Sequence, residues 1–174
     1  MNTISEVPAV PAPQYPEFPY TPEQLQWLAD LDSGKYQQGK FCLQQDNKFC
    51  CLGVAMDSLG IKPVRFTGNY NSDFEAAAVF EFPAENGDTA TEASGSLTPE
   101  AIRRLQMNSG AGALYPQIAV PRHLKKDPIA LTCFKSLVEL NDEYEYTHKQ
   151  IADFIRKYPT SVFTNLNTDT DEVL

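Results

Sequence analysis

Two adjacent cysteines, Cys50 and Cys51, sit in DNKFCCLGVAMDSLGIKP (46–63), where a strand-like run becomes a helix-like one. A thiol at a helix start is a place to look for a nucleophile, because the dipole and the free N–H groups stabilise thiolate. A base would have to be His123, in the basic loop VPRHLKKDP, or His148, beside a helix start where a solvated surface histidine is expected. No metal is expected. Successive strand side chains point to opposite faces, so Cys50 and Cys51 do not share an ion unless the chain turns, and Cys42 and Cys133 stand alone. The competing reading is packing, since cysteine is small, apolar and buries well. Packing is the favoured reading for both thiols. A second polar pair, Asn141-Asp142, offers an amide and a carboxylate that would line a pocket beside the GALYP loop with Tyr115, and Arg122 adds a cation from the basic loop. These four are the binding candidates. For Asn141-Asp142 the favoured alternative is a turn, with Asn141 left-handed after a helix and Asp142 capping the turn before Thr147.

CLGVAMDSLGIKP superficially resembles the Cys-Ser-Gly-Leu segment of the NlpC/P60 cell-wall hydrolases, relatives of papain in placing a cysteine at a helix start. The resemblance implies Cys51 as nucleophile and Gly53 as the matching glycine. The chain departs from that pattern at Leu52, where the family has serine, and its spacing to Gly60-Ile61 is about a turn shorter. A cysteine hydrolase using Cys51 with His123 or His148 is therefore the enzyme alternative.

The elements that must position these residues are partly legible. The first helix is expected to start at YTPEQLQWLADLDSG, with Thr21 and Gln24 forming a capping box, Pro22 opening it, Leu25, Leu28, Ala29 and Leu31 inward, and Gly34 stopping it. KFCLQQDNKFCC predicts a short hairpin turning at Asp46-Asn47. Leu52, Ala55, Met56 and Leu59 then recur at helical spacing up to Gly60. Beyond it AAAVFEFP suggests a strand, PAENGDTATEASGS and NSGAGALYP suggest loops, and LTPEAIRRLQM a helix capped by Thr98. Two last helices are expected: about 129–140, with Phe134, Leu137 and Val138 inward, and one after Thr147, boxed with Gln150 and burying Ile151, Phe154 and Ile155. The expected fold class is α+β: a mostly helical single domain, 20–164, with a short hairpin leading into a helix. It is preceded by a proline-rich extended arm, 1–19, and followed by a flexible polar tail, 165–174.

A chain of 174 residues with a charge of −9 and no long apolar run is expected to be a cytoplasmic protein without a membrane span or secretory signal. No basic residue stands between Arg65 and Arg103, while Asp73, Glu75, Glu81, Glu85, Asp88, Glu92 and Glu100 fall there. Such a region repels phosphates and argues against direct nucleic-acid binding.

KFCCLGVAMD following WLADLDSGKYQQG resembles a family of small proteins encoded by bacteriophages and prophages. The shared features are Trp27, the Ser33–Gln37 stretch, Phe49–Val54, Leu140–Asp142 and the Ile151–Ile155 helix, within blocks spanning roughly 21–60 and 97–158. The arm departs from the pattern, as does His148, where an aromatic residue is frequent. The resemblance implies a setting: a phage accessory protein in the host cytoplasm, or a virion or assembly component. With no cofactor expected, the leading functional reading is a non-catalytic binding module whose partner is a host protein or a small signalling molecule, acting on host machinery or a defence pathway. Oligomeric state is not legible.

Overall fold

The computed structural model describes residues 14–67, 77–82, 91–121 and 133–164. Arg122, His123, most of the expected arm, the tail 165–174 and much of the acidic stretch lie outside the described residues.

Helix α1 (Pro22–Asp32) starts at the expected capping box. Thr21 Oγ1 accepts from the Gln24 amide at 3.2 Å and Gln24 Oε1 accepts from the Thr21 amide at 2.9 Å. The buried face differs from expectation: it is Gln24, Trp27, Leu28 and Leu31, at i, i+3, i+4 and i+7, while Leu25 and Ala29 are exposed. The indole of Trp27 has the most apolar area to remove from water, and it takes the core-facing position. Gln24 also donates to the Leu105 carbonyl at 2.8 Å, so one side chain caps the helix and ties it across the core.

Strand β1 (Gln37–Gln38) pairs in parallel with β3 (Lys48–Phe49), which forms the expected hairpin with β2 (Gln44–Gln45). Asp46 takes φ +52° in the turn, a left-handed conformation aspartate tolerates. The sheet continues through β5 (Ala77–Phe82) to the edge strand β4 (Arg65–Thr67), and β6 (Thr91–Ala93) also pairs with β5. From β3 the chain turns directly into α2 (Cys51–Ser58), which Gly60 closes at φ +71°. Residues Cys51 to Met56 are all buried, so α2 is the central rod of the core, flanked by α1, β3 and α4 (Leu137–Asp142).

Helix α3 (Pro99–Leu105) is capped by Thr98 as expected. Two later expectations are corrected. The NSGAGALYP loop is in part a strand, β7 (Ala113–Ala119), antiparallel to β8 (Cys133–Ser136). Among the described residues β7 pairs with β8 alone, and Pro116 falls in the register shift between Ala113 and Ile118, so it interrupts no regular ladder. β8 in turn occupies the start of the helix expected over about 129–140, which begins at Leu137. Ser136 Oγ accepts from the Glu139 amide at 3.2 Å and Glu139 Oε2 accepts from the Lys135 amide at 2.6 Å, a cap that sets the boundary. Helix α5 (His148–Lys157) has the expected Thr147–Gln150 box and buries Ile151, Phe154 and Ile155, and α6 (Pro159–Val162) follows. The described residues are thus an α+β mix in which strands hold far more than one hairpin.

One contiguous hydrophobic cluster runs from Trp27 to Phe163. The described end of the proline-rich segment lies against it: Phe18 meets Phe163 with ring centroids 5.9 Å apart, and Tyr15 donates to Asp153 Oδ1 at 2.7 Å.

Among the described glycines the closest approach is that of Gly53 to the loop before β2. A Cβ on Gly53 would fall 1.6 Å from the Leu43 carbonyl oxygen and 2.5 Å from its carbon. Backbone, not a flexible side chain, blocks the space. Alanine is about 1 kcal/mol better than glycine in a helix, and that gain is far too small to offset displacing α2 from the sheet. Gly53→Ala is therefore expected to lose at least about 3 kcal/mol or to fail to fold, measured by urea denaturation of the soluble protein.

Candidate functional site

The junction that raised the question of thiol chemistry is sealed. Cys50 is the N-cap of α2, its sulfur 3.4 Å from the Gly53 amide that donates to it, and Cys51 is the first helical residue. Their relative exposures are 5% and 0%. Helix-terminal N–H groups pull a thiol pKa down, but burial outweighs them: it pushes Cys50 up to about 12 and Cys51 well above its ordinary value. Cys51 Sγ lies 3.7 Å from the Leu137 carbonyl, an acceptor that holds the proton on sulfur. Neither thiol is activated.

His148 corrects the expectation of a solvated histidine. It is 7% exposed, and its Nε2 lies 3.0 Å from the Phe49 carbonyl. A carbonyl only accepts, so Nε2 carries the proton and donates, joining the start of α5 to the end of β3. Burial holds the imidazole pKa below its ordinary value despite the Phe49 and Tyr36 carbonyls, which favour the cation. His148 is a structural donor.

Asn141 corrects the turn reading. It lies within α4, fully buried, and its amide makes four hydrogen bonds. Oδ1 accepts from the Cys51 amide at 3.2 Å and from Gln38 Nε2 at 3.0 Å, while Nδ2 donates to the Gly39 carbonyl at 2.9 Å and to Asp142 Oδ1 at 2.6 Å. Gln38 Nε2 also donates to the Tyr146 carbonyl at 2.6 Å. Asn141 therefore fixes the start of α2 and the end of β1, and Gln38, bonded to it, ties both to the α4–α5 connection. Asp142 accepts that bond on Oδ1 and, only partly buried, also lines the neighbouring surface.

That surface is a groove of about 300 Å³ between the 39–43 loop and α4, lined by Phe41, Lys135, Ser136, Val138, Glu139, Asp142 and Glu143. Phe41 is 78% exposed and held at φ +66°. For a bulky residue this is an outlier that costs about 1–3 kcal/mol and persists only where its surroundings impose it. They do here. The Gly39 amide donates to the Phe49 carbonyl at 2.8 Å and the Leu43 amide to the Ser94 carbonyl at 2.7 Å, while Lys40 pairs with Glu145 at 2.8 Å. With the Asn141–Gly39 bond, both ends of the loop are tied and the ring is left standing in solvent.

Two larger grooves, of about 540 and 500 Å³, share Tyr15; one is floored by Leu25 and Leu28, the other lined by Phe134, Tyr146, Phe154 and Tyr158. Tyr15 stands one residue after the first described residue, Gln14. Among the sequence-derived candidates, the structure brings Asn141, Asp142 and Cys51 together, leaves Tyr115 exposed on β7 outside the Phe41 groove, and does not describe Arg122 or His123. Phe41 and Gln38 were missed. No local signal marks Gln38, and the hairpin expected over KFCLQQDNKFCC concealed Phe41, which stands in the loop before β2. Among the described residues no three His, Cys, Asp or Glu side chains gather as a metal site requires, and no helix is long and apolar enough to cross a membrane.

A family model described as a domain of unknown function, DUF8296, matches residues 23–159, and the chain belongs to that family. No curated protein and no solved structure matches it.

Two measurements follow from this geometry. Asn141→Ala leaves the Cys51 amide, the Gly39 carbonyl and Gln38 short of partners in the core; each such group costs about 1–3 kcal/mol, so a loss of at least about 3 kcal/mol in urea denaturation is expected. Asn141→Asp, which turns an acceptor toward Gly39 and Asp142, is expected to do no better. For His148, the unfolded chain binds a proton below about pH 6.5 that the folded chain resists. Stability is therefore full above that pH and falls as pH drops through the lowered folded value. Asp57 has its pKa lowered: burial raises it, but bonds from Lys62 and Tyr36 outweigh that, so its stabilising effect is lost only at more acid pH. Denaturation midpoints between pH 7 and 5.5 should fall in the wild type and stay flatter in His148→Gln.

Proposed function

We propose that this DUF8296 member is a non-catalytic binding module, a phage accessory protein acting in the host on a host protein or a small signalling molecule of its machinery or defence. The observation that carries the non-catalytic part is the state of the vicinal cysteines. Both are buried, both have raised pKa values, and the described histidine is spent on a backbone carbonyl. A nucleophile needs a thiolate within reach of substrate, and this pair meets neither requirement. The phage setting rests on the sequence resemblance, and the acidic balance favours a partner other than nucleic acid.

What supports binding is the contrast between core and rim. The described residues that looked catalytic, Cys51 and His148, are consumed in packing, while Phe41 is displayed against a local conformational penalty beside an acidic groove. Such a display makes physical sense when it meets something outside the chain.

The test compares Cys51→Ala with wild type in an infection assay and in affinity capture from infected host lysate, scored for proteins and co-purified nucleotides. Alanine keeps the site small and apolar, so an intact circular dichroism spectrum and retained activity are expected. A folded but inactive Cys51→Ala protein would promote the hydrolase, and enrichment in purified particles the virion role. Native Cys50 and Cys51 are also expected to react with maleimide only on unfolding, read by mass spectrometry of the labelled peptide.

A further inference from the structure

We propose that the Phe41 groove takes an arginine-bearing basic segment of a protein partner, the guanidinium lying on the Phe41 ring and paired with Asp142 and Glu143. This rests on the binding-module reading and says what the module recognises. The site is carried by Phe41, an exposed aromatic on a loop tied at Gly39, Lys40 and Leu43, so the ring is presented without a further ordering cost on binding. Charge then selects the occupant. The groove sets Glu139, Asp142 and Glu143 against Lys135, with Val138 as its apolar floor, and the chain as a whole carries −9. Glu139 is turned to the Lys135 amide, and Asp142 receives one bond from Asn141, which fixes its carboxylate at the rim.

An aromatic face beside carboxylates is the complement of a cation. Arginine fits better than lysine because its planar guanidinium stacks and forks to a carboxylate at once. About 300 Å³ is at the small end for ligand clefts and suits one long side chain rather than a cofactor. Phosphate-bearing partners, nucleic acid or an anionic membrane, are repelled by the same charges.

The test is fluorescence anisotropy of the full chain at 150 mM salt with a fluorescein-labelled Gly-Arg repeat hexapeptide, its Gly-Lys counterpart and a single-stranded oligonucleotide. Wild type is expected to bind the arginine peptide best and the oligonucleotide not at all. Phe41→Gly and Glu143→Gln are each expected to weaken arginine-peptide binding tenfold or more, and Glu100→Gln, an equal charge change outside the groove, less than twofold. Glycine accepts a positive φ, so Phe41→Gly should melt no lower than wild type, which keeps loss of binding separate from loss of fold. Equal weakening by Glu100→Gln, unchanged binding by Phe41→Gly, an equally tight lysine peptide, or no arginine-peptide binding by wild type would each overturn the proposal. Infection-assay activity retained by Phe41→Gly would overturn this groove alone, whereas activity lost in folded Cys51→Ala would overturn the binding-module reading beneath it.

Discussion

The Asn141 carboxamide is the interaction on which the rest of the structure depends. Its two acceptor and two donor positions are all used, by Gln38 of β1, Gly39 just after it, Cys51 of α2 and Asp142 of α4. A satisfied buried amide adds only modestly to stability, about 0.5–1.5 kcal/mol per bond. What it adds is discrimination, since any slip of β1 against α2 leaves several polar groups dry and unpaired. The parallel pairing of β1 with β3, the descent of β3 into α2 and the closing of α4 over both are one geometric solution, held at one point.

The thiols show how position and environment compete. Cys50 and Cys51 occupy the place in a helix where free N–H groups favour thiolate, and amides do approach Cys50. Burial wins because removing a charge from water costs several kcal/mol, more than helix-end groups return. A cysteine at a helix start is a nucleophile only when the end is also open. Here the end is roofed by Leu43 on one side and Asn141 on the other, and chemistry gives way to packing.

Much of the fold was legible where a short-range bond leaves a spacing in the chain. The Thr21–Gln24 and Thr147–Gln150 boxes, the Thr98 cap and the Asp46-Asn47 turn all stand where expected. Ser136 and Glu139 carried the same type of signal, but the apolar run ahead of them suggested a longer helix and hid β8. β7 was obscured by Pro116, which a two-stranded sheet tolerates. The site was far less legible. Asn141 meets Gln38, Gly39 and Cys51 across separations of 103, 102 and 90 residues, and no local rule reports such partners. The resemblance had singled out Phe49–Val54 and Leu140–Asp142 as separate blocks; through Cys51 and Asn141 they are one physical unit.

Trp27 is the chain's single tryptophan, wholly buried, and its indole Nε1 donates to the Cys51 carbonyl at 3.0 Å. Its ring also meets Phe163 edge-on, 6.2 Å between centroids, where the chain's described end returns to the first helix. Emission excited at the red edge of indole absorption, where the eight tyrosines do not absorb, therefore has one origin, and that origin touches the α2 start and the closing segment together. Its wavelength reports solvent entry at the place where the fold is joined, without label or substitution. The molecule carries its own optical gauge of whether that junction is shut.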